Sequence, residues 1–124
     1  MKWGTTAAFE SIAYQVSDAL DAMRAEGGVE LATVAADGGP TASSFLMQFT
    51  ADMTGVVLRV STVAECSALG AVFAGRFGLG EFADLAGLAR TVSHSTAYQP
   101  RRNSSEVKQL RAGWQAAVRR TLVT

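Results

Sequence analysis

Apolar residues recur at intervals of three and four from Phe9 through Ile12, Val16, Leu20 and Met23, a spacing that lines them along one face of a helix. Gly27-Gly28 ends that helix. Val29 to Ala36 reads Val-Glu-Leu-Ala-Thr-Val-Ala-Ala and stops at Asp37-Gly38-Gly39, which predicts a strand running into a turn. Pro40 suits the first turn of a second helix, because no intrahelical partner is needed for its missing N–H. Phe45, Phe49 and Met53 then recur every four residues until Gly55. Val56-Val57-Leu58-Arg59-Val60 is branched, apolar and of strand length. Thr62 and Glu65 have the spacing of a capping box for a third helix, with Leu69, Val72, Phe73 and Phe77 as its buried stripe. Phe82 to Arg90 reads as another short helix, and Thr91 to Arg102, carrying Tyr98 and Pro100, as extended connection. Asn103 and Glu106 supply the cap of a last helix, whose Val107, Leu110, Trp114 and Val118 face inward while Lys108, Arg111 and Arg119 face outward.

The order helix, strand, helix, strand, helix, helical tail is the alternation of an α/β fold with neighbouring parallel strands. Two short strands make a poor independent sheet, since a parallel pair needs cover on both faces and partners at its edges. Strands from another chain, or from the rest of this one, are therefore expected. The 124 residues contain no linker, repeat or low-complexity tract, so they are read as one partial domain spanning residues 1–124.

Composition narrows the function classes. At 48% hydrophobic and 18% charged the chain is that of a soluble globular domain, near the lower size limit for an enzyme that must enclose two substrates. The longest apolar stretch, Ser67 to Gly75, stops at Arg76, short of the roughly 18 residues of a membrane span. Eleven basic residues balance 11 acidic ones, which removes any general attraction to nucleic acid or anionic lipid. The single cysteine, Cys66, excludes a disulfide framework and a cysteine-built zinc site. With no secretory signal at Met1-Lys2-Trp3-Gly4, a cytoplasmic setting is expected.

The chemistry centres on Asp37-Gly38-Gly39-Pro40-Thr41-Ala42-Ser43-Ser44, where a strand passes into a helix, the place at which open α/β folds bind ligands. Glycines let the backbone approach a ligand closely, and a helix start offers N–H groups to a phosphate. A tight turn without a ligand accounts for Asp-Gly-Gly equally well.

Taken in order, the motifs resemble a known family. Asp37-Gly38-Gly39, then Phe45-Leu46-Met47-Gln48-Phe49, Ala51-Asp52, Gly55 and Glu65-Cys66-Ser67-Ala68-Leu69-Gly70-Ala71 are similar to the carboxy-terminal part of the FGGY carbohydrate kinases, with glycerol kinases nearest. Ala8-Phe9-Glu10-Ser11-Ile12-Ala13-Tyr14-Gln15 upstream, and Tyr98-Gln99-Pro100 and Ala112-Gly113-Trp114-Gln115-Ala116-Ala117-Val118 downstream, extend the resemblance over nearly the whole chain.

That resemblance implies a piece of an actin-like ATPase (ribonuclease H-like) domain, with parallel strands flanked by helices, from an enzyme that closes on ATP with Mg and a polyol or sugar. It implies nucleotide contact at Gly38 and Gly39. The family usually carries an asparagine four positions after the second glycine to help hold the adenosine; here Ser43 stands there, followed by Ser44. One hydroxyl lacks a carboxamide's paired donor and acceptor, so altered nucleotide affinity or base preference is expected at Ser43. The family's phosphate-gripping loop, polyol-binding residues and catalytic aspartate precede the stretch matched here, which implies no catalytic residue in this chain and no turnover by it alone. Its expected partners are ATP or ADP, a polyol or sugar in the complete enzyme only, and either the remaining kinase portion or a second copy of the chain. An alternative of another class is a non-catalytic module that completes its sheet with a partner chain.

Other chemistry-bearing residues have plainer readings. Asp37 faces a nucleotide or a metal-bound water, or organises its turn through backbone hydrogen bonds, and the second reading is preferred. His94, the only histidine, has no second ligand at helical or hairpin spacing. Cys66 reads as a small buried thiol. Lys108, Arg111, Arg119 and Arg120 read as the solvated face of the last helix rather than a nucleic-acid surface.

Overall fold

The computed structural model describes residues 2–28, 30–62, 66–82, 84 and 95–122. Its elements are α1 (Lys2–Gly27), β1 (Thr33–Ala36), a 3₁₀ turn (Gly39–Ala42), α2 (Ser44–Thr54), β2 (Val57–Ser61), α3 (Cys66–Gly78), β3 (Ser95–Tyr98) and α4 (Ser104–Leu122). The alternation is that of an α/β fold, as the pattern predicts. β1 and β2 pair in parallel, with Val34 opposite Leu58 and Ala36 opposite Val60. β3 flanks the other side of β2 antiparallel, with Tyr98 opposite Leu58 and Thr96 opposite Val60. The sheet is thus mixed, and its third strand lies in the segment read from sequence as a connection. Ser-Thr-Ala-Tyr has no apolar alternation, and three of its four residues are exposed; backbone pairing at the sheet edge, not burial, makes it a strand.

Helix α2 is the centre of the fold. Eight of its 11 residues are buried, among them Leu46, Phe49 and Met53. Its polar members are satisfied locally: the Thr50 and Thr54 hydroxyls donate to the carbonyls of Leu46 and Thr50, each at 2.8 Å. Gly55 closes it with a φ of 69°, and its N–H donates to the Ala51 carbonyl. One face of the sheet, through Leu58 and Val60, joins Leu46, Met47, Phe49, Ala51 and Met53 in the core, with Val34, Ala36 and Tyr98 packed beside them.

The face that α1 buries differs from the predicted stripe. Ala13, Tyr14, Ser17 and Leu20 are buried, whereas Ile12 and Met23 are 43% and 60% exposed. Small side chains at 13 and 17 let α1 approach α2 closely, and the Ser17 hydroxyl donates to the Met53 carbonyl at 3.0 Å. Arg24 reaches the carboxyl end of α2 and donates to the Thr54 carbonyl at 3.2 Å, where a cation is favoured.

Helix α4 starts as expected, with Asn103 Oδ1 accepting from the Glu106 N–H at 2.8 Å. Trp114 stacks on Tyr14 with ring centroids 5.3 Å apart, and its indole N–H donates to Asp18 at 2.7 Å. Burial pushes the Tyr14 phenol above its ordinary value, Glu10 adds to this, and Arg102 opposes it. Arg111 does not point into solvent as predicted; it is half-buried and pairs with Asp21 and Asp18. Burial alone raises the Asp21 carboxyl, but hydrogen bonds and charge from Arg111 and Arg24 outweigh it and hold Asp21 below the usual carboxylate range.

Helix α3 forms where predicted but buries little. Of its expected stripe only Phe73 is buried, and Val72 and Phe77 are exposed, because none of the other described elements packs extensively against it. The Phe73 ring meets Phe82 edge-on at 6.3 Å. Val29, the Glu65 half of the capping box, His94 and, apart from Phe82 and Asp84, the helix expected over residues 82–90 lie outside the described residues.

Candidate functional site

The carboxyl ends of the parallel strands β1 and β2 lie side by side, and the chain leaving β1 turns sharply at Gly38. Its φ of 93° and ψ of 175° belong to a region open essentially to glycine alone. The turn is closed by Thr41, whose backbone N–H and hydroxyl both donate to the Gly38 carbonyl, at 3.0 and 2.6 Å. Asp37 is exposed and makes no side-chain hydrogen bond among the described residues; the organising role read for it belongs to Thr41. Pro40 occupies the first turn of a short 3₁₀ segment rather than of α2 itself.

Gly38 and Gly39 form one wall of a cleft of about 400 Å³ whose remaining lining is Thr41, Ala42, Val60, Ser61, Thr62, Thr96 and Tyr98. A side chain built at either glycine would meet nothing within 4 Å, so the corner opens into the cleft instead of being filled by the chain's own atoms. Ser43 is not among the lining residues. It is the N-cap of α2, its Oγ accepting from the Leu46 N–H at 3.2 Å. The cap therefore occupies an N–H of the helix start that the sequence reading offers to a phosphate.

The structure adds lining residues that the diglycine motif does not indicate. Ser61 and Thr62 come from the end of β2, where the rule for open α/β sheets places ligands. Thr96 and Tyr98 come from β3, which carries no strand signature in its sequence.

On the other side of the same strand ends lies a second, largely apolar cleft of about 390 Å³, lined by Ala35, Ala36, Asp37, Arg59, Ser61, Cys66 and Ser95. Cys66 is half-buried rather than buried, and its thiol donates to the Ser61 hydroxyl at 3.2 Å. None of the expected cations of α4 lines either cleft.

Comparison with known proteins places this arrangement. The chain is 44% identical over 115 residues to glycerol kinase of Shewanella oneidensis, covering 93% of this chain and 23% of that protein. It is 41% identical over 114 residues to glycerol kinase of Koribacter versatilis, covering 92% and 23%. It thus spans about a quarter of the length of these relatives. The structure superposes on Plasmodium falciparum glycerol kinase with ADP at a TM-score of 0.86 and 26% identity, covering 96% of this chain and 24% of that one. Xylulose kinase from Lactobacillus acidophilus shares the fold at a TM-score of 0.73. The fold is accordingly that of the actin-like ATPases, as the motifs imply. Residues 5–79 match the C-terminal domain of the FGGY family of carbohydrate kinases, and the chain belongs to that family.

Proposed function

We propose that this chain is the nucleotide-binding carboxy-terminal portion of a glycerol-kinase-like enzyme, a single partial domain over residues 1–124, in which Gly38 and Gly39 form one wall of an ATP or ADP site. The observation that carries the reading is the open diglycine corner at the ends of two parallel strands, in a chain whose fold matches a glycerol kinase described with ADP. Because neither glycine has a side chain, the backbone can approach a nucleotide to van der Waals distance. Thr41, Ser61, Thr62 and Thr96 line the same cleft, and hydroxyl-bearing residues suit the polar edges of a ribose or a phosphate. Ser43 acts on this site by holding the start of α2, and its replacement of a longer carboxamide alters affinity or base preference. ATP, when bound, supplies the terminal phosphoryl group for a polyol or sugar hydroxyl in the complete enzyme. Mg accompanies ATP in this reading of the complete enzyme, where it would be held largely by the nucleotide phosphates with one or two carboxylates; among the described residues no group of three or more His, Cys, Asp or Glu converges to cage an ion without them.

Phosphoryl transfer depends on groups positioned on both sides of the transferred phosphate. One wall alone is therefore expected to bind nucleotide weakly and to release no ADP. The test is a coupled ADP-release assay with glycerol and related polyols, run beside an NMR titration with ADP. Turnover above a boiled control would overturn the inactivity; an ADP titration that leaves the Gly38 and Gly39 amide signals unmoved would overturn the site. The setting proposed is cytoplasmic; among the described residues no helix is long and apolar enough to cross a membrane.

A second reading has its own observation. β1 is an edge of the three-stranded sheet, and α3 leaves Val72 and Phe77 exposed. These support a module that completes its layers against a partner, the remaining kinase portion or a second copy. Copurification with another kinase polypeptide favours this reading, and a monodisperse monomer with dispersed amide resonances counts against it.

A further inference from the structure

Between β3 and α4 the chain is fastened to α2 by two side chains one helical turn apart. Gln48 and Asp52 stand at i and i+4 on the same side of α2. The Asp52 carboxylate is buried at 6% exposure. Its Oδ1 accepts from the Arg101 backbone N–H at 2.7 Å and from the Gln48 amide at 3.0 Å, and its Oδ2 lies 3.4 Å from the Arg102 guanidinium. The Gln48 amide also donates to the Gln99 carbonyl at 2.8 Å. Arg102 lies over the Phe49 ring, 5.5 Å from its centroid, and pairs with Glu106. A buried carboxylate needs this set of donors. Every one of these bonds to the chain following β3 lands on Gln99, Arg101 or Arg102, immediately after Tyr98.

β3 is four residues long and lies at the sheet edge, yet it supplies Thr96 and Tyr98 to the cleft that Gly38 and Gly39 open into. The same α2 begins at the Ser43 cap, four residues beyond Gly39. One rigid helix thus carries the diglycine corner at its start and grips the exit of the opposite wall further along. We infer that Gln48 and Asp52 are positioning residues for the nucleotide cleft: they lock the β3 wall at a set distance from the diglycine wall. The inference rests on the nucleotide reading of that cleft. It concerns residues that touch no ligand and act only through Thr96 and Tyr98.

The test uses the full 124-residue chain and two readouts. The first is amide hydrogen exchange without ligand at Thr96, Tyr98 and Arg101. Asp52→Ala is expected to speed it about tenfold or more, Gln48→Ala about threefold, and Asp52→Asn, which keeps one acceptor for the Arg101 N–H, by less than Asp52→Ala; tenfold corresponds to about 1.4 kcal/mol, the scale of one lost hydrogen bond. The second is ADP affinity from the amide shifts of Gly38 and Gly39, expected to fall in the same order. Exchange unchanged in Gln48→Ala and Asp52→Asn overturns the latch, and these milder variants keep the test valid if Asp52→Ala does not fold. Faster exchange with undiminished ADP affinity overturns the positioning role, because a purely structural fastening predicts that result. A wild-type chain that binds no ADP overturns the nucleotide reading and the positioning role with it, while the exchange data still show whether the fastening exists.

Discussion

The two faces of the β-sheet are built from alternate residues of the same three strands and end in opposite conditions. On one, Val34, Ala36, Leu58, Val60 and Tyr98 pack with α2, and beyond it with α1 and α4, in a core whose polar members all have partners. On the other, Thr33, Ala35, Arg59, Ser95 and Ala97 are exposed, and α3 packs extensively against none of the other described elements. The difference teaches where stability sits and where the proposed site lies. The closed face holds the chain together and fixes α2. The ends of the strands, reached from both faces, carry the clefts. A sheet covered on one face and, among the described residues, exposed on the other suits the proposed role as one wall of a larger cleft.

The comparison breaks or holds first on stability. Leu46, 1% exposed on the closed side, is expected to cost about 2–5 kcal/mol on truncation to Ala, through lost burial and the cavity left behind. Leu79, 80% exposed beyond α3, is expected to change stability by less than about 0.5 kcal/mol under the same substitution. Urea denaturation midpoints measure both. A large cost at Leu79 would mean that the open side is covered in solution, and would favour the partner-module reading.

The diglycine corner sharpens the contrast within two adjacent residues. Gly38→Ala forces a side chain onto a φ of 93° and is expected to cost about 1–3 kcal/mol. Gly39 has no positive φ, and an added methyl group meets nothing within 4 Å, so Gly39→Ala is expected to leave the free chain unchanged or up to about 1 kcal/mol more stable. If a nucleotide occupies that space, Gly39→Ala weakens ADP binding without lowering the melting temperature. Undiminished ADP binding in this variant would place the nucleotide elsewhere.

Much of the closed side was readable in the sequence and little of the open side was. The helix stop at Gly27-Gly28 and the caps at Asn103 and Gly55 follow from local chemistry, which works over a few residues and is indifferent to what lies outside the chain, and the parallel pair β1–β2 follows from the alternation of helix and strand. The stripes of α1 and α3 did not map onto burial. Hydrophobic spacing scores Ile12 and Met23 above Ala13 and Ser17, yet the close approach of α1 to α2 needs the small residues. In α3 the apolar spacing is sound, but burial needs an opposing surface that the described residues lack. The diglycine corner was readable at Gly38, whose conformation demands glycine. Thr96 and Tyr98 were not, because their place in the cleft comes from pairing with β2 and from the hold of Gln48 and Asp52 on the chain beyond.

On the closed side the Asp21–Arg111–Arg24 cluster makes a pH prediction. Asp21 has its carboxyl lowered in the folded chain, so its contribution is fully present above the unfolded carboxylate value and is lost as pH falls through the folded one. Because Asp21 is 41% exposed, solvent screening keeps the contribution below about 1 kcal/mol. Asp21→Asn is expected to lower stability slightly at neutral pH and to converge with the wild type under acid conditions. A difference that persists unchanged to low pH would assign the effect to packing of Asp21 rather than to its charge.

The smallest effect is expected at the far end of α4. Of the four cations of α4, Arg111 is held by Asp18 and Asp21, while Lys108, Arg119 and Arg120 are exposed. Three exposed cations, in a chain of zero net charge, can neutralise only a few phosphates, so few counterions would leave a nucleic acid on contact and the electrostatic gain would be small. Replacing Arg119 and Arg120 together by Ala is therefore expected to shift the denaturation midpoint by less than about 0.5 kcal/mol. The wild-type chain is expected to leave duplex DNA and single-stranded RNA unretarded in a gel at low ionic strength. Retardation that fades with salt and is lost in the double variant would show that α4 carries a nucleic-acid surface.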